Sequence, residues 1–279
     1  DALCVPVPRG ACSRKHREIR AVLDRFAPAV QAASIDEWYL DLEGTEALYR
    51  QAPLEEIAHR IRDAVIAETG LTISIGGGTS KLVAKLAVER AKPKTGATGV
   101  HVVHPGGELA FMRQLLLADI PGIGPKTTAR LAERGLRSVD DVLALDDAAL
   151  SRLVGAGDAA WLAERVRGIG RGAVAERDEA KSISRDETFD ADIDDDLLLE
   201  GELTALVSRA GADLRGDGLG ARTITVRIRD TDFRTRQASR TLDEPLASDR
   251  ALHVVARELL QKLRKARHVP ARLLGVGLS

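Results

Sequence analysis

An α+β fold in three parts is predicted by three observations. Residues 1–104 alternate short β-branched runs with amphipathic helices, residues 105–175 read as helix almost throughout, and residues 182–279 follow a β-α-β-β-α-β order, the ferredoxin-like plan. At 279 residues the chain has room for two or three such domains. Hydrophobic residues make up 44 % and charged residues 30 %, the composition of a soluble globular protein, and no apolar run approaches the roughly 20 residues that span a bilayer. A net charge of -1 excludes a surface coated in basic charge but leaves room for local basic grooves. Cys4 and Cys12 are the only cysteines and lack partners at zinc-finger spacing, so disulfide frameworks and structural zinc are both disfavoured and a reduced, cytoplasmic setting is expected. The chain starts at Asp1 and enters Ala2-Leu3-Cys4-Val5 directly, which reads as the middle of a fold.

In the first part, Ile19, Val22, Leu23 and Phe26 recur at helical spacing, with Arg14, Lys15, Arg17 and Arg20 around the remaining surface. Ala29–Ala33 and Trp38–Leu42 follow as two strands, and Asp36-Glu37 falls at or near the turn between them. Neighbouring side chains alternate faces along a strand, so two adjacent carboxylates converge on one cation only where the backbone turns. On its own such a doublet is more often a solvated pair on a surface hairpin, and its meaning depends on its surroundings. Pro53 opens a second helix with Leu54, Ile57, Ile61 and Val65 in one stripe, closed by Gly70. Leu71–Ile75 reads as a strand running into Gly76-Gly77-Gly78, which lacks the spacing of a nucleotide-binding P-loop. A third helix turns Leu82, Val83, Leu86 and Ala87 inward and leaves Lys81, Lys85 and Arg90 to solvent, before a last strand at Val100–His104. One sheet with helices on one face is expected here.

The helical part holds Ile120-Pro121-Gly122-Ile123-Gly124-Pro125-Lys126-Thr127, a helix-hairpin-helix signature. Its glycines permit a tight turn, and the amides opening the second helix point outward at the positive end of the helix dipole, where a nucleic-acid phosphate binds. Gly122, Ile123, Gly124 and Lys126 are therefore candidate backbone contacts, which carry no base information. Val154-Gly155-Ala156-Gly157, followed by Ala159–Val166, is a candidate degenerate second copy. From Arg171 to Lys181 the residues are small or charged, and 176–181 is assigned as a linker.

The last part reads as strand Ser182–Phe189, helix Leu197–Leu214, strands Arg222–Arg229 and Arg234–Leu242, helix Ala251–Arg267 and strand Ala271–Leu278. Alternation puts Thr223, Thr225, Arg227 and Arg229 on one face and Ile224, Val226 and Ile228 on the other. Arg234, Arg236 and Arg240, at even spacing on the partner strand, are expected to extend the basic face toward a phosphate backbone. An ordinary solvated sheet face has the same pattern. Asp192, Asp194, Asp195 and Asp196 lead into a helix start, where the dipole favours them.

Taken together, these motifs resemble the Y-family translesion DNA polymerases, in particular the DNA polymerase IV branch, lacking the N-terminal part of the palm and the fingers. Ser34-Ile35-Asp36-Glu37 with Tyr39-Leu40-Asp41 is similar to the family's second palm motif, and Ser74-Ile75-Gly76 with Lys81 to Lys85 to its next one. Ala91-Lys92-Pro93-Lys94-Thr95-Gly96, the hairpin at Ile120–Thr127 and Lys181-Ser182 continue the match in order. Trp38 departs from a usual small residue, and Thr79-Ser80 from the usual Pro-Asn.

The resemblance implies a palm over 1–104, a helix-hairpin-helix thumb over 105–175 and a little finger over 182–279. It implies two Mg²⁺ ions, with Asp36 bridging both and Glu37 on the one that activates the primer 3′-hydroxyl, and Lys92 on the incoming triphosphate. Primer–template DNA and deoxynucleoside triphosphates are the implied partners, a sliding clamp is a further one, no membrane is involved and a monomer is expected. The family's first metal-binding aspartate and its steric-gate aromatic precede the point where this chain starts, so the chain alone is expected to be inactive. The alternative is a non-catalytic DNA-binding accessory protein related to these polymerases.

Overall fold

The computed structural model describes residues 5, 8–93, 96, 98–175 and 182–279. They fall into two compact units, divided between Arg177 and Asp178. The linker assigned to 176–181 lies outside the described residues, as do Cys4, Lys94 and Thr95.

The first unit begins with α1 (Arg9–Leu23), whose Ile19, Val22 and Leu23 are buried as its periodicity predicts. They pack with Val30, Tyr49 and the Ile57, Ile61 and Val65 stripe of α2 (Leu54–Thr69). Between the two helices, β1 (Ala29–Ala32) and β2 (Trp38–Asp41) form an antiparallel hairpin with Val30 opposite Leu40 and Gln31 opposite Tyr39. The strand expected at Leu71–Ile75 instead starts at Ile75, as β3 (Ile75–Gly77). It pairs in parallel with β4 (Val100–Val102), which is shorter than the expected Val100–His104. The described strands of this unit therefore hydrogen-bond as two separate pairs rather than in the single sheet expected.

Strand β3 is glycine-rich because α3 (Lys81–Ala91) crosses directly over it. A Cβ on Gly76 would sit 2.2 Å from the Ala84 carbonyl oxygen and 2.3 Å from the Val88 nitrogen. Gly76 thus serves helix packing, and Gly77 faces Val102 of β4 and Leu54 of α2, in keeping with a strand rather than a phosphate loop. Ser80 caps α3 by accepting from the Val83 amide at 3.2 Å.

The rest of the unit is helical: α4 (Glu108–Met112), a 3₁₀ turn (Leu117–Asp119), α5 (Pro125–Ala132), α6 (Val139–Leu143), α7 (Asp147–Val154) and α8 (Ala156–Val166). Their core, built from Met112, Ile120, Leu131, Leu150 and Leu162, is continuous with Leu82, Val83, Leu86 and Ala87 of α3. One hydrophobic core thus crosses residues 104 and 105, fastening the helical part to α3.

The second unit has the expected order: β5 (Ile183–Ile193), α9 (Asp196–Gly216), β6 (Ala221–Asp230), β7 (Thr235–Leu246), α10 (Asp249–Ala266) and β8 (Ala271–Leu278). The sheet order is β5-β8-β6-β7 with every neighbouring pair antiparallel. The interior strands β6 and β8 supply Ile224, Val226, Ile228, Leu274, Val276 and Leu278 to a core closed by leucines of α9 and α10. Asp195 caps α9, accepting from the Leu197 and Leu198 amides at 2.7 and 3.2 Å. The flanking Asp194 and Asp196 both accept from the buried guanidinium of Arg264. No described helix is long and apolar enough to cross a membrane.

Candidate metal-binding and nucleic-acid-binding sites

Asp36 and Glu37 stand on the loop joining β1 and β2, where the turn permits adjacent side chains to converge, and both are exposed. The loop is held from two sides. His16 of α1 bonds through Nδ1 to the Ile35 carbonyl at 2.8 Å and stacks on Trp38, with ring centroids 5.0 Å apart. Trp38, the departure from the family pattern, is therefore a packing element; its indole nitrogen is buried without a hydrogen-bond partner. Within the loop, Ser34 Oγ donates to Asp36 Oδ1 at 2.5 Å.

The cation that an adjacent acid pair invites is Lys85, whose Nζ donates to Glu37 Oε1. That bond holds the Lys85 ammonium above its ordinary pKa, against an opposing effect of burial. Burial also raises the Tyr39 phenol. Lys81, one turn earlier on α3, donates to Gln31 of β1 and lies 5.5 Å from the Tyr39 ring centroid. Both lysines were expected to face solvent. They turn onto the hairpin because α3 packs on the unit's inner side through Leu82, Val83 and Leu86, leaving positions 81 and 85 over β1, β2 and their loop. The signal for this was the doublet's need for a countercharge, read together with the four-residue spacing of the lysines. Lys92 is the C-cap residue of the same helix and donates to Glu89 Oε1 at 2.5 Å. Among the described residues, no group of three or more His, Cys, Asp or Glu side chains converges on one point.

The helix-hairpin-helix turn forms as its sequence predicts. Ile120 and Ile123 are buried, Gly122 has φ +99°, and Gly124 is the N-cap residue of α5 with no side-chain cap, so the first amides of the helix remain available beside the exposed Lys126. A Cβ on Gly122 would lie 2.6 Å from the Trp161 ring. At the second loop, Gly155 has φ +90° and joins α7 to α8. Here Asp158 occupies the first turn and pairs with Arg130 of α5 at 2.7 Å, which makes this copy a poorer anion site than the first.

On the sheet of the second unit, the helix-free face carries Thr223, Thr225, Arg227 and Arg229 of β6. The cross-strand register sets Thr241, Ser239, Gln237 and Thr235 of β7 directly opposite them. Hydroxyl contacts of 3.0 Å (Thr223–Thr241) and 2.9 Å (Thr225–Ser239) follow this register. Arg236 and Arg240 stand opposite Ile228 and Ile224, so they lie on the helix-covered face and not beside Arg227 and Arg229 as expected. Even spacing correctly grouped the β7 arginines with one another, but only the register decides which face they share with β6. Arg236 instead grips the buried Asp230 at 2.8 Å, and Arg240 pairs with Glu258 of α10 at 2.6 Å. Arg234 is exposed in the turn before β7.

Over its whole length the chain matches proteins of one class, the Y-family DNA polymerases. Residues 1–89 match the impB/mucB/samB family, residues 180–279 its C-terminal domain, and residues 115–170 a SAM-like helix-hairpin-helix tandem that takes in both loops described above. The chain belongs to the impB/mucB/samB family, and its relatives there are DNA polymerases IV. That of Methanoculleus marisnigri is 36 % identical over 276 residues, covering 99 % of this chain and 74 % of the relative. That of Caulobacter vibrioides is 33 % identical over 283 residues, covering 100 % and 67 %. That of Dehalococcoides mccartyi (strain CBDB1) is 36 % identical over 258 residues, covering 92 % of this chain and 64 % of the relative. The chain thus spans about two thirds of the length of several relatives. Its fold is that of a solved Y-family DNA polymerase chimera, with a TM-score of 0.85 at 24 % identity, covering 99 % of this chain and 77 % of that one. A DinB structure from Sulfolobus solfataricus aligns at a TM-score of 0.58 and 23 % identity, covering 100 % of this chain and 79 % of that one.

Proposed function

We propose that this chain is the metal-holding and DNA-gripping portion of a template-directed DNA polymerase of the translesion type, one that adds deoxynucleotides to a primer 3′ end with low fidelity during damage bypass. In this reading residues 1–104 act as palm, 105–175 as thumb and 182–279 as little finger. The observation that carries it is the pair Asp36 and Glu37, exposed at a hairpin turn and faced by the lysines of α3.

The donors fit a hard divalent ion such as Mg²⁺. They are carboxylate oxygens open to solvent, and a cationic group, the Lys85 ammonium, already rests against Glu37. Asp36 and Glu37 would hold two such ions, which when bound supply charge neutralisation for phosphoryl transfer and activation of the primer hydroxyl. Lys85 neutralises Glu37 in the free protein and is the group that must move aside. Lys92, at the end of the same helix and bonded to Glu89 in the free protein, would meet the triphosphate, as the family resemblance implies. The amides of Gly122 and Gly124 with Lys126, and the sheet face bearing Arg227 and Arg229, grip phosphates without reading bases, while the Ile123 amide is held by the Ile120 carbonyl within the turn. Arg236 has no part in this.

Primer extension tests the reading. The full-length gene product should extend a primed template with Mg²⁺, and Asp36→Ala and Glu37→Ala should each abolish extension. Two carboxylates without a third among the described residues do not complete the site, so the 279-residue chain alone should bind primer–template and not extend it. A full-length product that binds DNA but never extends a primer would favour the accessory-protein reading instead.

A further inference from the structure

The helix-free face of the β5-β8-β6-β7 sheet carries a charge of the wrong sign for a phosphate backbone. Asp186 on β5 and Arg227 on β6 are not on neighbouring strands, because β8 runs between them. Each is in register with the same β8 residue, Gly275, so the three form one row across the sheet. Over that glycine, Arg227 Nη1 donates to Asp186 Oδ2 at 3.1 Å and to Oδ1 at 3.4 Å. A Cβ on Gly275 would lie 1.7 Å from Asp186 Oδ1, so the pair closes only because the middle strand has no side chain there.

Both side chains are 38 % exposed, and ion pairs this open contribute little to a fold. A glycine inside a central strand, for its part, weakens the strand. The effect of the pair is therefore felt mainly by Arg227, whose guanidinium is turned inward onto a carboxylate on the very face that would meet DNA. Arg229, two residues along the same face, donates instead to the neutral Thr235 hydroxyl at 3.0 Å and keeps its full charge for an incoming anion.

We propose that Asp186 is a restraint on DNA affinity. It holds Arg227 in the free protein and must surrender it to a backbone phosphate on binding, and it then stands uncompensated beside the duplex and favours release. Arg229 is the standing phosphate contact and Arg227 the conditional one. This rests on the reading of the sheet face as a DNA-binding surface.

The test is anisotropy of a fluorescein-labelled primer–template duplex titrated with the 279-residue chain over a range of salt concentrations. Asp186→Asn should bind about three- to tenfold more tightly at low salt, with a salt slope steeper by about one phosphate contact. Asp186→Ser carries the same expectation should the first variant fold poorly. The gain should vanish in Asp186→Asn/Arg227→Gln, because Asp186 acts through Arg227. Affinity equal to or below wild type in the single variants overturns the proposal, as does a gain that persists without Arg227. Arg227→Glu/Arg229→Glu separates the two levels. If it loses binding while Asp186→Asn matches wild type, only the restraint fails; if it binds as wild type does, the face does not meet DNA and both fail.

Discussion

Lys85 of α3 donates to Glu37 on the β1–β2 loop, and this single bond joins the helix to the turn that carries the acid pair. Glu37 is therefore neutralised by the protein's own cation, and under the metal-holding role proposed above a divalent ion would have to compete with an ammonium for the carboxylate. Lys85→Gln removes that competitor. Binding of Mn²⁺ to the chain, followed by electron paramagnetic resonance, should tighten several-fold in this variant, and Glu37→Gln should weaken it. An unchanged affinity in Lys85→Gln would mean that Lys85 does not contest the site.

Arg227 and Arg229 on the open face should separate cleanly from Arg236 on the covered face under mutation. Arg227→Glu/Arg229→Glu is expected to weaken primer–template binding and flatten its salt dependence by about two phosphate contacts. Arg236→Gln is expected to leave the salt slope alone and lower the melting temperature, because Arg236 bonds Asp230 at 2.8 and 3.0 Å and the Leu263 carbonyl at 2.6 Å. Equal loss of DNA binding in both variants would contradict the assignment of Arg236 to the covered face.

The contrast between these arginines shows what the sequence could and could not reveal. Alternation along one strand is a local property, so Ile224, Val226 and Ile228 were legible as core from β6 alone. Which face Arg236 shares depends on the pairing of β6 with β7, and a one-residue change in register reverses it. The acid pair at the turn, the capped helices and the hairpin signature were likewise local and legible. Lys85 on Glu37 joins residues 48 apart, and Arg227 on Asp186 joins residues 41 apart across an intervening strand. The second leaves no trace in spacing, and the first shows only as the doublet's need for a countercharge beside the four-residue spacing of Lys81 and Lys85. Strand β3 takes in Gly76 and Gly77 for a similar reason: its extent follows its parallel pairing with β4, a long-range contact that no β-propensity encodes.

Gly122 tests the helix-hairpin-helix geometry independently of charge. Its φ of +99° is costly for any residue with a Cβ, and that atom would meet Trp161 at 2.6 Å. Gly122→Ala should destabilise the first unit by about 1–3 kcal/mol in urea melts. Lys126→Glu, at an exposed position, should leave stability within about 0.5 kcal/mol and weaken duplex binding. A stable Gly122→Ala would show that the turn can relax without its left-handed residue.

Asp230 carries a stability prediction with a defined sign in pH. Its side chain is fully buried, at 0 % exposure, between the guanidinium groups of Arg236 and Arg267. Burial alone would raise its pKa, but the hydrogen bonds and charges of Arg236 and Arg267 outweigh it and hold the carboxyl below its ordinary value. A carboxyl depressed in the folded state adds stability that is present above its unfolded pKa of about 3.9 and is lost as pH falls through the lower folded value. Asp230→Asn should therefore cost about 2–3 kcal/mol at neutral pH, because it leaves two arginines facing a neutral amide. The gap between wild type and variant should narrow as the pH is lowered below about 4, because the unfolded wild type takes up its proton there first and the folded carboxyl follows only at its lower pKa. Guanidinium melts of both proteins at pH 7 and near pH 3 measure this directly, and a gap that stays constant or widens toward acid would show that the carboxylate charge is not what the two arginines hold.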